Sequence, residues 1–289
     1  MNMMNGLQGT KHASAKQAAG GHVVDLDPRY EFYQDVMREL ERAQVPFLVG
    51  GGFAFAYFTG IERKIKDLDL FVMPKDFAPA MQVFSDAGFE TRIRFAHWLG
   101  KALKGEDFVD IIFSSGNGLC RVDESWLDNA VPVEILGLPV KVCSPEEMIW
   151  SKAFVMERDR FDGADVAHLI QACGEEMNWS RLLRRFDDNH WRVLFSHLIL
   201  FGYVYPCERN KIPQWVQGEC LRRFRHELKT GPLAERTCRG TLLSWSEYLP
   251  DIEQRGYGDG RQPPVGNLTE METAQLTEVW RHGEGERGR

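Results

Sequence analysis

The sequence predicts an α/β half followed by a helical half. Three observations carry this. Up to Cys143, short apolar or alternating runs of the kind that form strands take turns with stretches of helical spacing. Three consecutive glycines, Gly50, Gly51 and Gly52, stand where a strand gives way to a helix. From Ser144 to about Leu249 almost every segment reads as helix. A chain of 289 residues has room for one large domain or two modest ones, with a sizeable core.

The elements follow in order. Residues 29–44 carry Tyr30, Tyr33, Val36, Met37 and Leu40 at helical spacing. "VPFLV" is a short buried strand, the glycines follow it, and "FAFAYFT" is apolar enough for a helix packed on a sheet. "LDLFVM" is a second strand, and "DFAPAMQVFSDAG" a helix closed by Gly88. "ETRIRF" and "DFVDIIFS" alternate or run apolar as strands do, and His97 lies between them. "PVEIL" and "PVKVC" are strands joined by a tight glycine turn. Ser144, Pro145 and Glu147 make a helix start with a hydroxyl cap, a proline in the first turn and an acid at the capping-box position. The expected divisions are a disordered N-terminus over 1–24, an α/β core over 25–143, a helical part over 144–249 and a mostly disordered tail over 250–289.

Composition narrows the function. A formal net charge of -7 excludes a molecule that is basic all over. The charge is uneven, though. Residues 180–239 hold twelve Lys and Arg against six Asp and Glu, a net of +6, so the remainder sums to -13. A basic helical segment of this kind suits a polyanion, or else consists of solvated helix faces and arginines paired with the acidic half. Six cysteines show no C-x-x-C spacing, which fits reduced, partly buried thiols in a cytoplasmic protein. The first residues lack the apolar core of a signal peptide. The longest apolar run, "VLFSHLILFGYVYP", is too short to span a bilayer and reads as a buried helix, with His197 in the core and His190 on the helix surface.

The stretch "LVGGGFAFAYFTGIERKIKDLDLFV" holds the chemistry. Asp67 and Asp69 flank Leu68, and residues two apart on a strand project from one face. Like charges so placed repel unless a cation sits between them. Mg²⁺, or Mn²⁺, is the natural occupant, because Mg²⁺ takes oxygen ligands and accepts substrate phosphates as the rest of its shell. Asp110 sits on an apolar strand, where a lone carboxylate is costly; beside the first strand it becomes a third acid of the same cluster. Gly50–Gly52 let a phosphate approach the backbone at a helix N-terminus, and Arg63, Lys64 and Lys66 add positive charge just before the acids.

In this order the motifs resemble the nucleotidyltransferase superfamily built on the polymerase-beta-like core. The likeness extends over roughly residues 45–172. It is strongest to a bacterial branch that opens with Gly-Gly-x-Ala, here Gly51, Gly52, Phe53 and Ala54, and that includes abortive-infection-type toxins. The resemblance implies a small mixed sheet with helices, a triphosphate contact from Lys152 on the helix after "LPVKV", and an Arg-to-Asp pattern at Arg158, Asp162 and Asp165. Phe53 stands where many members have serine, so backbone amides must replace a hydroxyl contact. Alone, Asp162 and Asp165 also suit the N-cap and N3 positions of a helix, and Arg158 suits an i, i+4 pair with Asp162.

The expected reaction is transfer of a nucleoside monophosphate from an NTP, with ATP among the candidates, to an acceptor that is a small molecule, a protein or tRNA. Asp67 and Asp69 would hold Mg²⁺ against the triphosphate, Asp110 would complete a second metal position and help deprotonate the acceptor, so that two ions serve an in-line displacement, and Gly50, Gly51, Gly52, Arg63, Lys66 and Lys152 would be nucleotide contacts. The alternatives are a non-catalytic nucleotide-binding module of a toxin–antitoxin type pair and a metal-dependent phosphohydrolase.

Overall fold

A computed structural model describes residue 27, residues 29–95 and residues 97–261. The expected N-terminal segment 1–24 and the part of the expected tail beyond 261 lie outside the described residues.

The chain opens with α1 (Arg29–Arg42), whose buried face is Phe32, Tyr33, Val36, Met37 and Leu40. Then come β1 (Leu48–Val49), α2 (Gly51–Thr59), β2 (Leu68–Phe71) and α3 (Pro74–Asp86). Gly88 follows α3 with a φ of +84°, the left-handed conformation that ends a helix cheaply only with glycine. Three strands follow, β3 (Glu90–Phe95), β4 (Leu99–Lys104) and β5 (Asp107–Ile112), and then the short helix α4 (Glu124–Asp128). The hairpin of β6 (Val131–Ile135) and β7 (Leu138–Val142) turns on Leu136 and Gly137, both at positive φ.

The seven strands form one mixed sheet in the order β3-β4-β5-β2-β1-β7-β6. Within it, β2 runs parallel to β5 and antiparallel to β1, so β2 and β5 lie side by side in the interior of the sheet. Strand β4, "LGKALK", was not among the expected strands. Its leucines, alanine and lysines favour helix and Gly100 weakens a strand. Pairing on both edges overrides that preference, and Gly100 is needed because a Cβ there would meet the Phe77 ring of α3 at 2.8 Å.

Helices dominate the rest: α5 (Pro145–Ala153), α6 (Gly163–Cys173), α7 (Trp179–Arg185), α8 (Asp187–Val204), α9 (Gln214–Thr230) and α10 (Trp245–Glu253). Two short strands, β8 (Thr237–Cys238) and β9 (Gly258–Asp259), pair in parallel. Residues 250–261, which fell in the expected tail, thus belong to the folded body. Helix α8 is buried on one side only: Ile199, Tyr203 and Val204 are exposed, so the apolar run is not a fully buried helix. His197 is buried with its Nε2 2.9 Å from the Ala153 carbonyl oxygen, while His190 is half-buried with its Nδ1 3.1 Å from Asp187. The six cysteines are free thiols.

Ser144 precedes α5 as expected, but the capping box does not form. The Ser144 hydroxyl accepts from Arg181 at 2.8 Å, and the fully buried Glu147 pairs with Arg181 and Arg185. Glu146, also buried, accepts from the Asn178 amide at 2.6 Å and pairs with Arg181. The first turn of α5 therefore serves as the docking point for α7.

Candidate nucleotidyltransferase site

The site grows from the β1–α2 turn and the two strands beside it. Leu68 and Leu70 of β2 are fully buried, which turns Asp69 and Phe71 to the opposite face. The Gly50 amide donates to the Asp69 carbonyl oxygen at 2.9 Å and ties the turn to β2. The glycines make room for that face. A Cβ on Gly51 would lie 1.6 Å from Asp69 Oδ2, and one on Gly50 would lie 2.3 Å from the Phe71 ring. Gly51 also has a φ of +51°. Thus the carboxylate of Asp69 rests against the N-terminus of α2, where backbone amides favour negative charge.

Strand β5 adds Asp110 directly opposite Asp69 in the parallel register. These residues surround a cleft of about 500 Å³ lined by Gly50, Gly51, Lys66, Asp67, Asp69, Asp110, Lys152, Arg160 and Asp162, with Phe71, Trp98 and Trp126 as aromatic walls. Phe71 stacks on Trp126 with ring centroids 5.2 Å apart. Burial, followed by the charges of Asp67 and Asp110, pushes the Asp69 carboxyl up to about 7, against the opposing pull of Lys152 and Arg160. Burial also raises Asp110, with Lys101 opposing.

Several expected residues take different partners. Lys152 lines the cleft, but its Nζ lies 3.1 Å from Asp162 and 2.8 Å from Asp165. Arg63 is not in the cleft lining; its guanidinium pairs with Asp165 at 2.5 Å and covers the Phe55 ring. Gly52 is likewise outside the lining, with Ile65 3.2 Å from where its Cβ would be. Asp162 and Asp165 hold the N-cap and N3 positions of α6, yet the Asp162 side chain makes no capping bond. The i, i+4 pair from Arg158 does not form. Arg158 pairs with Glu247, and Arg160 takes Asp162 instead.

Two basic residues of the site were missed. Arg160 carries the same kind of signal as Arg158 and stands two positions before Asp162. Lys101 was hidden because β4 was not recognised as a strand. It lies opposite Asp110 in the β4–β5 register, and its Nζ donates to Asp110 Oδ1 at 2.5 Å. Asp110 thus carries an ion pair with Lys101 beside its register contact with Asp69. Among the described residues, no three His, Cys, Asp or Glu side chains stand together so as to hold a metal ion.

A smaller donor set still fits a divalent cation. Mg²⁺ is commonly bound by one or two carboxylates with substrate phosphates completing its shell. Asp67 and Asp69 are such a pair, and burial, followed by the negative charges of Asp67 and Asp110, raises the Asp69 carboxyl, a burden that a cation would offset.

Residues 30–201 match the model of a family described as uncharacterised nucleotidyltransferase, and the chain belongs to that family. No curated protein matches the chain. Among solved structures, the antibiotic-resistance factor ANT(2″)-Ia is 16% identical, with a TM-score of 0.42; the match covers 58% of this chain and 96% of that one. The lincosamide antibiotic adenylyltransferase LnuA, in its lincomycin-bound form, is 15% identical with a TM-score of 0.36, covering 49% of this chain and 95% of its own. A putative nucleotidyltransferase from Thermotoga maritima is 19% identical with a TM-score of 0.33, covering 41% and 79%. Among the described residues no helix is long and apolar enough to cross a membrane.

Proposed function

We propose that the chain transfers a nucleoside monophosphate from an NTP to an acceptor hydroxyl with release of pyrophosphate, using a divalent cation held by Asp67 and Asp69. The observation that carries the reading is the placement of Asp69. It is pressed against the Gly51 turn, faces Asp110 in register, and has its proton affinity raised by burial and by both other acids.

The α/β part, 25–143, supplies the acids and the glycine turn. The helical part, 144–249, supplies Lys152, Arg160 and Asp162 across the cleft. Amides at the start of α2 receive phosphate oxygens, and Lys66, Lys152 and Arg160 offset the charge that gathers on the departing pyrophosphate. Arg63 acts one step removed, by holding Asp165, which also holds Lys152. When bound, a divalent cation on the acid pair supplies neutralisation of phosphate charge and polarisation of the reacting phosphoryl group. The acceptor oxygen forms its bond to the α-phosphorus as the bond to the β-phosphate bridging oxygen breaks. The acceptor proton passes to Asp110, whose proton affinity burial raises above that of an ordinary aspartate.

The test is incubation of the full chain with Mg²⁺, each α-labelled NTP in turn and cell extract, followed by identification of the labelled species. Asp69→Asn and Asp67→Asn should each lower labelling by ~100-fold or more. Labelled NDP or NMP with no labelled acceptor would instead indicate hydrolysis. Undiminished labelling by Asp69→Asn would remove the acid pair from the chemistry.

A further inference from the structure

Three adjacent strands place Asp69, Asp110 and Lys101 in one row. Asp69 of β2 pairs with Asp110 of β5, and Asp110 pairs with Lys101 of β4. Residues directly opposite one another on neighbouring strands share a face, so the row reads acid, acid, base across the sheet. The Lys101 ammonium is held from two directions. It lies 2.5 Å from Asp110 Oδ1 and 3.8 Å from the centroid of the Phe108 ring, on the same strand two residues before Asp110. Its side chain is only 23% exposed. A clamped ammonium is a fixed positive charge. A divalent ion seated on Asp110 would have to share an oxygen already accepting a charge-assisted bond and approach a cation at close range. Of the basic residues that line the cleft, Lys152 pairs with Asp162 and Asp165, and Arg160 with Asp162.

We propose that the Lys101 ammonium takes the place of a second divalent cation at Asp110, so that the cleft loads one divalent ion, on Asp67 and Asp69, rather than two. The inference rests on the reading of the cleft as a nucleotidyl-transfer site. Lys101 is a positioning residue in it: it sets which acids are open to a metal and holds Asp110 toward the acceptor.

Counting Mn²⁺ on the full chain tests this, with the metal alone and free Mn²⁺ followed by electron paramagnetic resonance. Wild type should bind one ion per chain, and Asp69→Asn should lose it. Lys101→Met should gain a second ion, because the uncovered Asp110 carboxylate becomes a ligand. Lys101→Arg should return the count to one, since it restores the charge. Asp110→Asn should also leave it at one, as Asp110 is not a ligand in the wild-type chain. Thermal melts report whether each variant is folded, and Lys101→Gln stands in should Lys101→Met not fold. Two ions on wild type would overturn the proposal. So would a neutral Lys101 variant that stays at one ion while Asp69→Asn loses it; that result leaves the proposed reaction standing. A chain that binds no Mn²⁺ in either form overturns this inference, and the labelling experiment decides the metal-dependent reading separately, because there the nucleotide's phosphates complete the metal's shell.

Discussion

Gly51 carries two constraints that no other residue type meets together. Its φ of +51° costs a side-chain-bearing residue about 1 kcal/mol or more. Its missing Cβ leaves the space that Asp69 Oδ2 occupies, 1.6 Å from where that carbon would be. The glycines were legible as a strand-to-helix turn open to phosphate. Their accommodation of the Asp69 carboxylate was not, because it depends on the β1–β2 pairing that brings Asp69 beside Gly51. Gly51→Ala should therefore lower the melting temperature and remove labelling together, as the carboxylate is driven from its seat. Paired with Asp69→Ala, the stability cost should fall short of the sum of the two single costs, since the contact that makes Gly51→Ala costly is gone. Additive costs in chemical denaturation would mean that backbone strain alone is responsible.

At the scale of elements, local signals were read well and long-range partners were not. The strands flanking the glycine turn, the helix closed by Gly88 and the β6–β7 hairpin all follow from residues within a few positions of one another. The acids at the start of α5 look like helix-start residues for the same reason, yet their partners lie on α7, more than thirty residues away. Arg185 grips Asp123 at 2.6 and 2.8 Å and Glu147 at 3.0 Å, and lies over the Trp150 ring. Burial raises the Glu147 carboxyl, and Arg185 is the largest opposing influence. Arg185→Met should leave Glu147 buried with Arg181 alone, at 3.4 Å, and cost about 3 kcal/mol near neutral pH. The sign of the pH dependence follows. A carboxyl whose folded pKa exceeds its unfolded value is accommodated when protonated, and that accommodation is lost as pH rises through the folded pKa. The deficit of the variant should thus shrink as pH falls toward the ordinary glutamate range and widen above it. Urea titrations at pH 5 and pH 7.5 check this, and a deficit equal at both would show that Glu147 is not the group left exposed to the loss.

Across the whole molecule, the unequal charge of the two halves resolves into contacts between them and within the helices. The net of +6 over residues 180–239 was legible, but not where the arginines point. Arg181 and Arg185 reach back to Glu146, Glu147 and Asp123, and Arg192 pairs with Glu227. On α9, Arg222 bonds Glu219 at 2.7 Å, and Arg223 bonds Glu219 at 2.8 Å and lies 3.4 Å from Asp188. A surface built to hold a polyanion keeps its cations available, since each phosphate neutralised must displace whatever the cation already holds. Here two of the three clustered arginines of α9 are already paired: both hold Glu219 on the same helix, and Arg223 also reaches Asp188 and the Asp187 carbonyl oxygen at the start of α8. Arg222→Glu, Arg223→Glu and Arg225→Glu together should consequently set like charges against Glu219 and Asp188 and lower the melting temperature modestly. Labelling of the acceptor and its dependence on salt should match wild type, because the Asp67–Asp69 cleft is untouched. A triple variant that melts as wild type does but loses labelling, or labels with a flatter dependence on salt, would instead assign these arginines to the grip on an acidic acceptor.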